Sequence, residues 1–272
     1  MFREMTLGQY YHADSPVHRL DPRVKLAGTL IFGISLFLPG NIPGLACAAL
    51  FLIMVIRISR VPPGMVMKGI KPLVILIVFS ALINMFTVKG EIIFSIGWLS
   101  LTRQGLGTAL FLVIRLILLV AGTSIMTYTT TPGRLTAGLE KSLGFLKVFH
   151  VPVHEIAMMM TIALRFIPIL TEELDQIMKA QMSRGASFDE GSLPERARKL
   201  VPILIPLFVS SIGRASDLAM AMEARGYHGG EGRTKMHPLS YEKNDRTGYL
   251  ILFAYLALMI ICALEFRKWR LL

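Results

Sequence analysis

The strongest constraint on this chain is a succession of apolar runs that reach or approach the length of a membrane crossing, separated by short charged stretches. The runs are Leu26 to Leu38, extendable to Gly40; Pro43 to Ile58; Pro72 to Val88; Gly105 to Tyr128; and Tyr249 to Leu264. Inside a bilayer the backbone must pair its own polar groups, and segments of this length do so as helices. The sequence therefore predicts an all-α polytopic membrane protein with about five transmembrane helices. Several runs fall short of the roughly 20 residues an upright helix needs, so tilt or local thinning has to make up the difference.

Charge sets the orientation. The net charge is +11, but residues 132–246 hold 15 of the 29 basic and 13 of the 18 acidic residues, so the excess lies in the membrane loops. Arg57, Arg60, Lys68 and Lys71, with no acidic residue among them, mark the loop after the second run as cytoplasmic. The N-terminus and residues 132–246 are then inside, and the uncharged stretch from Pro39 to Gly44 is outside. Five crossings leave Arg267, Lys268 and Arg270 outside, against the charge rule. Either that tail snorkels or a sixth crossing exists, with Ile156 to Leu170 the candidate. The basic residues follow topology and form no continuous stripe, which argues against a nucleic-acid partner. Arg3, Glu4, Asp14, Arg19 and Asp21 precede the first apolar run, so no cleavable signal is expected. Cys47 and Cys262 both fall in apolar runs and read as small hydrophobes, with neither a disulfide nor a metal site expected.

Three blocks follow: residues 1–131 with four spans, a polar helical block at 132–246, and a final span at 247–272. In the middle block Pro132 suits the first turn of a helix, and Leu135, Leu139, Leu143 and Leu146 fall near one face of an amphipathic stretch. A second run from Val153 to Ser183 passes Pro168, where a bend is expected, and turns acidic at Glu172, Glu173 and Asp175. Ser187 to Glu195 reads as a loop. From Arg196 to Arg225 a third run carries Gly213, Ala215, Ala219 and Ala221, small residues that allow close helix crossing, with Gln176 to Arg184 as the expected partner.

The second and third runs end alike, at Ser183-Arg184-Gly185 and Ala224-Arg225-Gly226. The simplest account of each is a cap, with a left-handed glycine and a basic residue complementing the helix dipole. A cap does not require a small residue before the arginine on both occasions. The paired arrangement points to a second role, in which the glycine stops the helix and the arginine projects from its tip toward a partner's carboxylates or carbonyls.

Catalytic chemistry is not visible in the sequence. There is no Gly-x-x-x-x-Gly-Lys-[Ser/Thr] loop, so ATP is not expected to bind here in the P-loop manner. His150, His154 and Glu155 lack the second histidine of the zinc-protease template and read as structural or interfacial. Glu172, Glu173 and Asp175 read as a solvated helix segment. Arg115 and Asn84 lie inside apolar runs and read as packing groups making bonds between spans, although intramembrane ionisable groups are functional candidates by default.

At this point the residues resemble those of the CbiQ-type family, the transmembrane T component of energy-coupling factor (ECF) vitamin and metal transporters. The opening Leu7-Gly8-Gln9-Tyr10 and the stretch from Ser15-Pro16-Val17-His18-Arg19 to Leu20-Asp21-Pro22-Arg23-Val24-Lys25 are similar to its N-terminal signature. Arg165-Phe166-Ile167-Pro168 resembles a mid-chain element, and the two arginine-glycine endings resemble paired Ala-Arg-Gly motifs, with Ser183 the one departure. The resemblance implies coupling helices crossing in an X and motif residues Ser183, Arg184, Gly185, Ala224, Arg225 and Gly226 docking on two ABC-type ATPases. It implies that ATP and Mg are bound by those partners, with no cofactor in this chain. It further implies one substrate-binding S component held in the bilayer, vitamin uptake, and the cell membrane of a prokaryote. Two other functions compete with this one. A pore-lining permease of a conventional ABC importer needs no S component, and an enzyme acting on lipid or isoprenoid substrates needs an acid- or histidine-rich site.

Overall fold

Helix boundaries in the computed structural model, which describes residues 10–88, 90–96, 99–188, 192–229 and 238–269, follow from local capping chemistry. Ser15 caps the short α1 (Pro16–Arg19), and Asp21 caps α2 (Pro22–Ser35) by accepting the Arg23 N–H; both helices start on a proline, whose missing N–H is no loss there. Asn41 starts α3 (Ile42–Ser59) by accepting the Gly44 N–H at 3.2 Å. Arg60 ends it in the left-handed conformation, φ 56°. Pro62 and Pro63 then open α4 (Pro63–Ile70), so what the sequence offered as a loop after the second run is partly helical. A 3-10 turn leads into α5 (Val74–Thr87). Two strands, β1 (Ile92–Ile96) and β2 (Leu99–Thr102), pair antiparallel. Thr102 then caps α6 (Arg103–Thr129), accepting the Gly105 N–H at 3.0 Å while donating to the Val88 carbonyl at 2.6 Å. The remaining helices are α7 (Pro132–Ser142), α8 (Val153–Ser183), α9 (Leu193–Ala224) and α10 (Lys243–Trp269), with a 3-10 segment at Leu143–Phe149 before α8.

Contacts divide the chain into two units, one of residues up to Ser142 together with those from Leu239, the other Leu143–Pro238. In the first, α2, α3, α6 and α10 share a core that includes Phe32, Leu36, Leu52, Ile125, Tyr255 and Met259. Phe51 stacks on Tyr255 with ring centroids 4.1 Å apart. Tyr255 donates its hydroxyl to Ser35 Oγ at 2.8 Å, and Ser35 passes its own proton to the Phe32 carbonyl at 2.7 Å. A polar chain buried this way is fully satisfied, as an apolar surrounding demands. Gly122 sets the approach of α6 to α2, since a Cβ there would sit 2.6 Å from the Phe32 ring. α7 packs back on α2.

Among the described residues six helical segments are long and apolar enough to cross a membrane: Ile42–Ser59, Pro63–Thr87, Arg103–Thr129, Val153–Ser183, Ala197–Ala224 and Lys243–Leu264. The chain is a multi-pass membrane protein. Four of the six cover apolar runs named above. α2 is not among them, because its 14 residues span only about 21 Å. The other two are α8 and α9, the least apolar of the set. Large apolar side chains stay exposed all along α5, with Ile75 at 82%, as lipid contact allows.

In the second unit α8 runs unbroken through Pro168 to Ser183. α9 starts at Leu193 because Ser192 and Glu195 form a capping pair, in which the Ser192 N–H donates to Glu195 Oε2 at 2.9 Å. The expected loop therefore ends earlier than Glu195; residues 189–191 lie outside the described segments.

Candidate functional site

The ends of α8 and α9 are built to the same pattern. At the first, the N–H groups of Arg184, Gly185 and Ala186 donate to the carbonyls of Gln181, Met182 and Gln181 at 3.1, 3.0 and 3.0 Å. At the second, those of Arg225, Gly226 and Tyr227 donate to Met222, Glu223 and Met222 at 3.1, 2.8 and 3.0 Å. Both are Schellman closures, in which a left-handed residue turns the chain so that two later N–H groups satisfy the last orphan carbonyls. Gly185 and Gly226 supply that conformation, at φ 89° and 71°. A Cβ at either would meet open space, so the preference for glycine is conformational rather than steric.

Each closure leaves its arginine as the last residue before the turn. Arg184 and Arg225 have backbone angles of −88°, 6° and −92°, 11°, and both are exposed. Ser183 and Ala224, also exposed, precede them, and the Ser183 hydroxyl is spent on its own helix, donating to the Lys179 carbonyl at 3.0 Å. Among the described residues neither guanidinium has a hydrogen bond or ion pair. Each tip thus presents five N–H donors in a rigid fork.

α8 and α9 pack antiparallel through contacts the sequence did not announce. Arg214 donates to Glu173 Oε2 at 3.1 Å, and Gln181 Nε2 donates to the Pro202 carbonyl at 3.3 Å. The second bond has a cause in the sequence. Pro206 has no N–H, so the Pro202 carbonyl one turn back is left without its helical partner. Gln181 supplies the missing donor. The small residues Gly213, Ala215, Ala219 and Ala221 are exposed instead, and a Cβ built at Gly213 meets nothing within 4 Å. Earlier in α9, Leu204, Ile205, Phe208, Val209 and Ile212 are exposed as well.

The N-terminal signature has a different job. Asp21 is tied to Arg23 at 2.9 Å, and its backbone N–H donates to Asp245 Oδ1 at 2.7 Å. Asp245 is 2% exposed and uses its other oxygen on the Glu242 N–H. Arg23 lies 3.7 Å over the Tyr241 ring. Lys25 donates to the carbonyls of His18 and Thr129 at 3.1 and 2.8 Å. The buried His18 ring donates from Nε2 to the Tyr11 carbonyl at 3.0 Å, which leaves Nδ1 to accept the Ser15 hydroxyl at 2.7 Å. Burial pulls the His18 pKa below its ordinary value. Burial alone would push Asp21 up, but the Arg23 hydrogen bonds and charge outweigh it and its pKa is lowered. These residues join α2 to the end of α6 and the start of α10.

Arg115, midway along α6, donates to the Pro39 carbonyl at 3.3 Å and sits 4.7 and 5.2 Å from the Phe111 and Phe37 rings. Asn41 donates to the Cys262 carbonyl at 3.2 Å. α2 ends at Ser35, and Arg115 donates to a carbonyl of the turn that follows it. Asn84 differs from expectation: its amide donates to the Ser80 carbonyl of its own helix at 2.9 Å and, among the described residues, bridges no second span. Among the described residues no three His, Cys, Asp or Glu side chains are grouped to hold a metal ion.

The match to known proteins places this multi-pass helical chain among the membrane components of transport systems. The family is specific: residues 13–236 match the CbiQ family, described as cobalt transport protein, and the chain belongs to it. The chain is 49% identical to the energy-coupling factor transporter transmembrane protein EcfT of Thermosediminibacter oceani over 248 residues, 91% of this chain and 94% of that one. It is 45% identical to the protein of the same name from Bacillus subtilis over 260 residues, covering 95% and 98%. For that of Acidaminococcus fermentans the identity is 45% over 269 residues, covering 99% and 98%.

Proposed function

We propose that this chain is the membrane coupling subunit of an ATP-driven ECF-type vitamin importer. α8 and α9 serve as its coupling helices. Arg184 and Arg225 each dock on one of two ABC-type ATPases, which bind ATP and Mg and carry out hydrolysis. The exposed apolar stretch of α9 from Leu204 to Ile212 faces an S component, which supplies the substrate site. The relatives' names favour this over the pore-lining permease of a conventional ABC importer. The observation that carries the docking assignment is the pair of matched helix closures, each leaving an exposed guanidinium without a partner among the described residues.

The test is co-purification from membranes expressing all subunits. The double substitution Arg184→Glu, Arg225→Glu should release both ATPases while the S component stays bound. Each lost charge-assisted contact is worth roughly 2 to 5 kcal/mol if desolvated on docking, so the combined loss takes association below detection. ATPases retained in the double variant would overturn the assignment.

A further inference from the structure

The membrane unit contains a cavity of about 290 Å³ between α2, α3, α6 and α10. Its wall is apolar over most of its length, with Val24, Phe32, Val55, Ile125, Ile251 and Leu252 lining it. Three glycines, Gly28, Gly122 and Gly248, also face it, one from each of α2, α6 and α10. At one end the lining turns polar, with Lys25, Thr129, Asn244 and Thr247.

Two groups at that end are incompletely satisfied. The Lys25 ammonium, in a side chain only 8% exposed, has three N–H groups and uses two of them on the His18 and Thr129 carbonyls. Thr129 is 2% exposed, and its hydroxyl has no hydrogen-bond partner among the described residues. Asp21 and Asp245, the carboxylates that act on Lys25 electrostatically, are committed elsewhere, to Arg23 and to two backbone N–H groups. Arg134 adds a second positive charge near Lys25.

The polar end is where α2 and α10 begin and α6 finishes, the side the positive-inside rule assigns to the cytoplasm. The apolar part follows α2 from Val24 to Phe32, about 12 Å into the bilayer. An apolar wall that runs into the bilayer from a polar, positively charged end suits one acyl chain beneath an anionic headgroup.

We propose that this cavity holds one acyl chain of an anionic phospholipid of the cytoplasmic leaflet, with the headgroup phosphate at Lys25 and Thr129. The anion takes up the spare ammonium N–H and accepts the threonine hydroxyl, and the chain lies along the apolar wall. The assignment rests on the membrane unit alone and does not depend on the ATPase docking proposed above.

The experiment uses the full chain in detergent with phosphatidylglycerol or phosphatidylcholine of identical acyl chains, read by native mass spectrometry. One phosphatidylglycerol should be retained per chain, at least tenfold in preference to phosphatidylcholine. Thr129→Val should reduce that preference, and Val55→Trp should abolish retention of both lipids. Ile75→Trp, on the exposed face of α5, should leave retention unchanged. A phosphatidylglycerol with a diazirine on its acyl chain tests the unsubstituted protein directly, and should label the α2, α6 and α10 segments that line the cavity. Labelling confined to α5, equal retention of the two lipids, or undiminished retention in a folded Val55→Trp variant would each overturn the proposal. Displacement by inorganic phosphate at concentrations that leave the chain unlabelled would do so too, by showing a headgroup site without a chain site.

Discussion

His18 shows how much a single side chain carries in this fold. In the neutral form that burial favours, its ring accepts from Ser15 and donates to Tyr11, and burial lowers its pKa from the usual 6.5. The folded state therefore binds fewer protons than the unfolded one between the lowered value and 6.5. The stabilisation is complete above pH 6.5 and is lost as pH falls from there toward the folded value. Melting temperature should decline on acidification below pH 6.5, and His18→Gln should flatten that part of the profile. Arg115 makes a second residue-scale prediction. Arg115→Met removes the donor to the Pro39 carbonyl and should destabilise the membrane unit by about 1 to 3 kcal/mol, read as a lower melting temperature, while ATPase co-purification stays intact. The glycines add a third. Gly185→Ala and Gly226→Ala place a Cβ on a left-handed backbone, which costs about 1 kcal/mol, and should weaken ATPase retention less than charge reversal of the neighbouring arginines does. The tips were legible because capping is local: six consecutive residues contain the whole device. The role of Lys25 was not, because its partner Thr129 is 104 residues away.

Among the elements, α8 and α9 are coupled by a bond that depends on a proline. Gln181 serves the Pro202 carbonyl because Pro206 cannot. Gln181→Leu should cost about 0.5 kcal/mol in the native background and nothing once Pro206→Ala restores the helical N–H, a coupling measurable by a double-mutant cycle in thermal melts. The Glu173–Arg214 pair is half exposed on the arginine side and should contribute less than about 1 kcal/mol. Periodicity and composition located α3, α5, α6 and α10 to within a few residues at most ends. They missed β1 and β2, because Ile92-Ile93-Phe94 followed by Ser95-Ile96 sits between two apolar runs and has no strong turn signal of its own. The start of α9 falls inside the stretch that reads as a loop for a physical reason: Pro194 is tolerated in the first turn of a helix, and Ser192 with Glu195 spells a capping box.

For the molecule as a whole, the sequence conveyed membrane residence, since that depends on composition. It did not convey that α2 is too short to match α6, nor that its turn is served by Arg115. Those facts depend on which helices neighbour one another. The N-terminal signature joins segments far apart in sequence, Asp21 to Asp245 and Lys25 to Thr129. α7, the lead into the second unit, packs on α2, and the lead out of it passes Leu239, whose carbonyl accepts from Arg23 at 3.5 Å, and then Asp245. Residues 143–238 are therefore strung between two leads fastened to the same end of one helix. Both stretches that flank residues 143–238 in sequence are thus anchored, within the first unit, on the opening turns of one short helix.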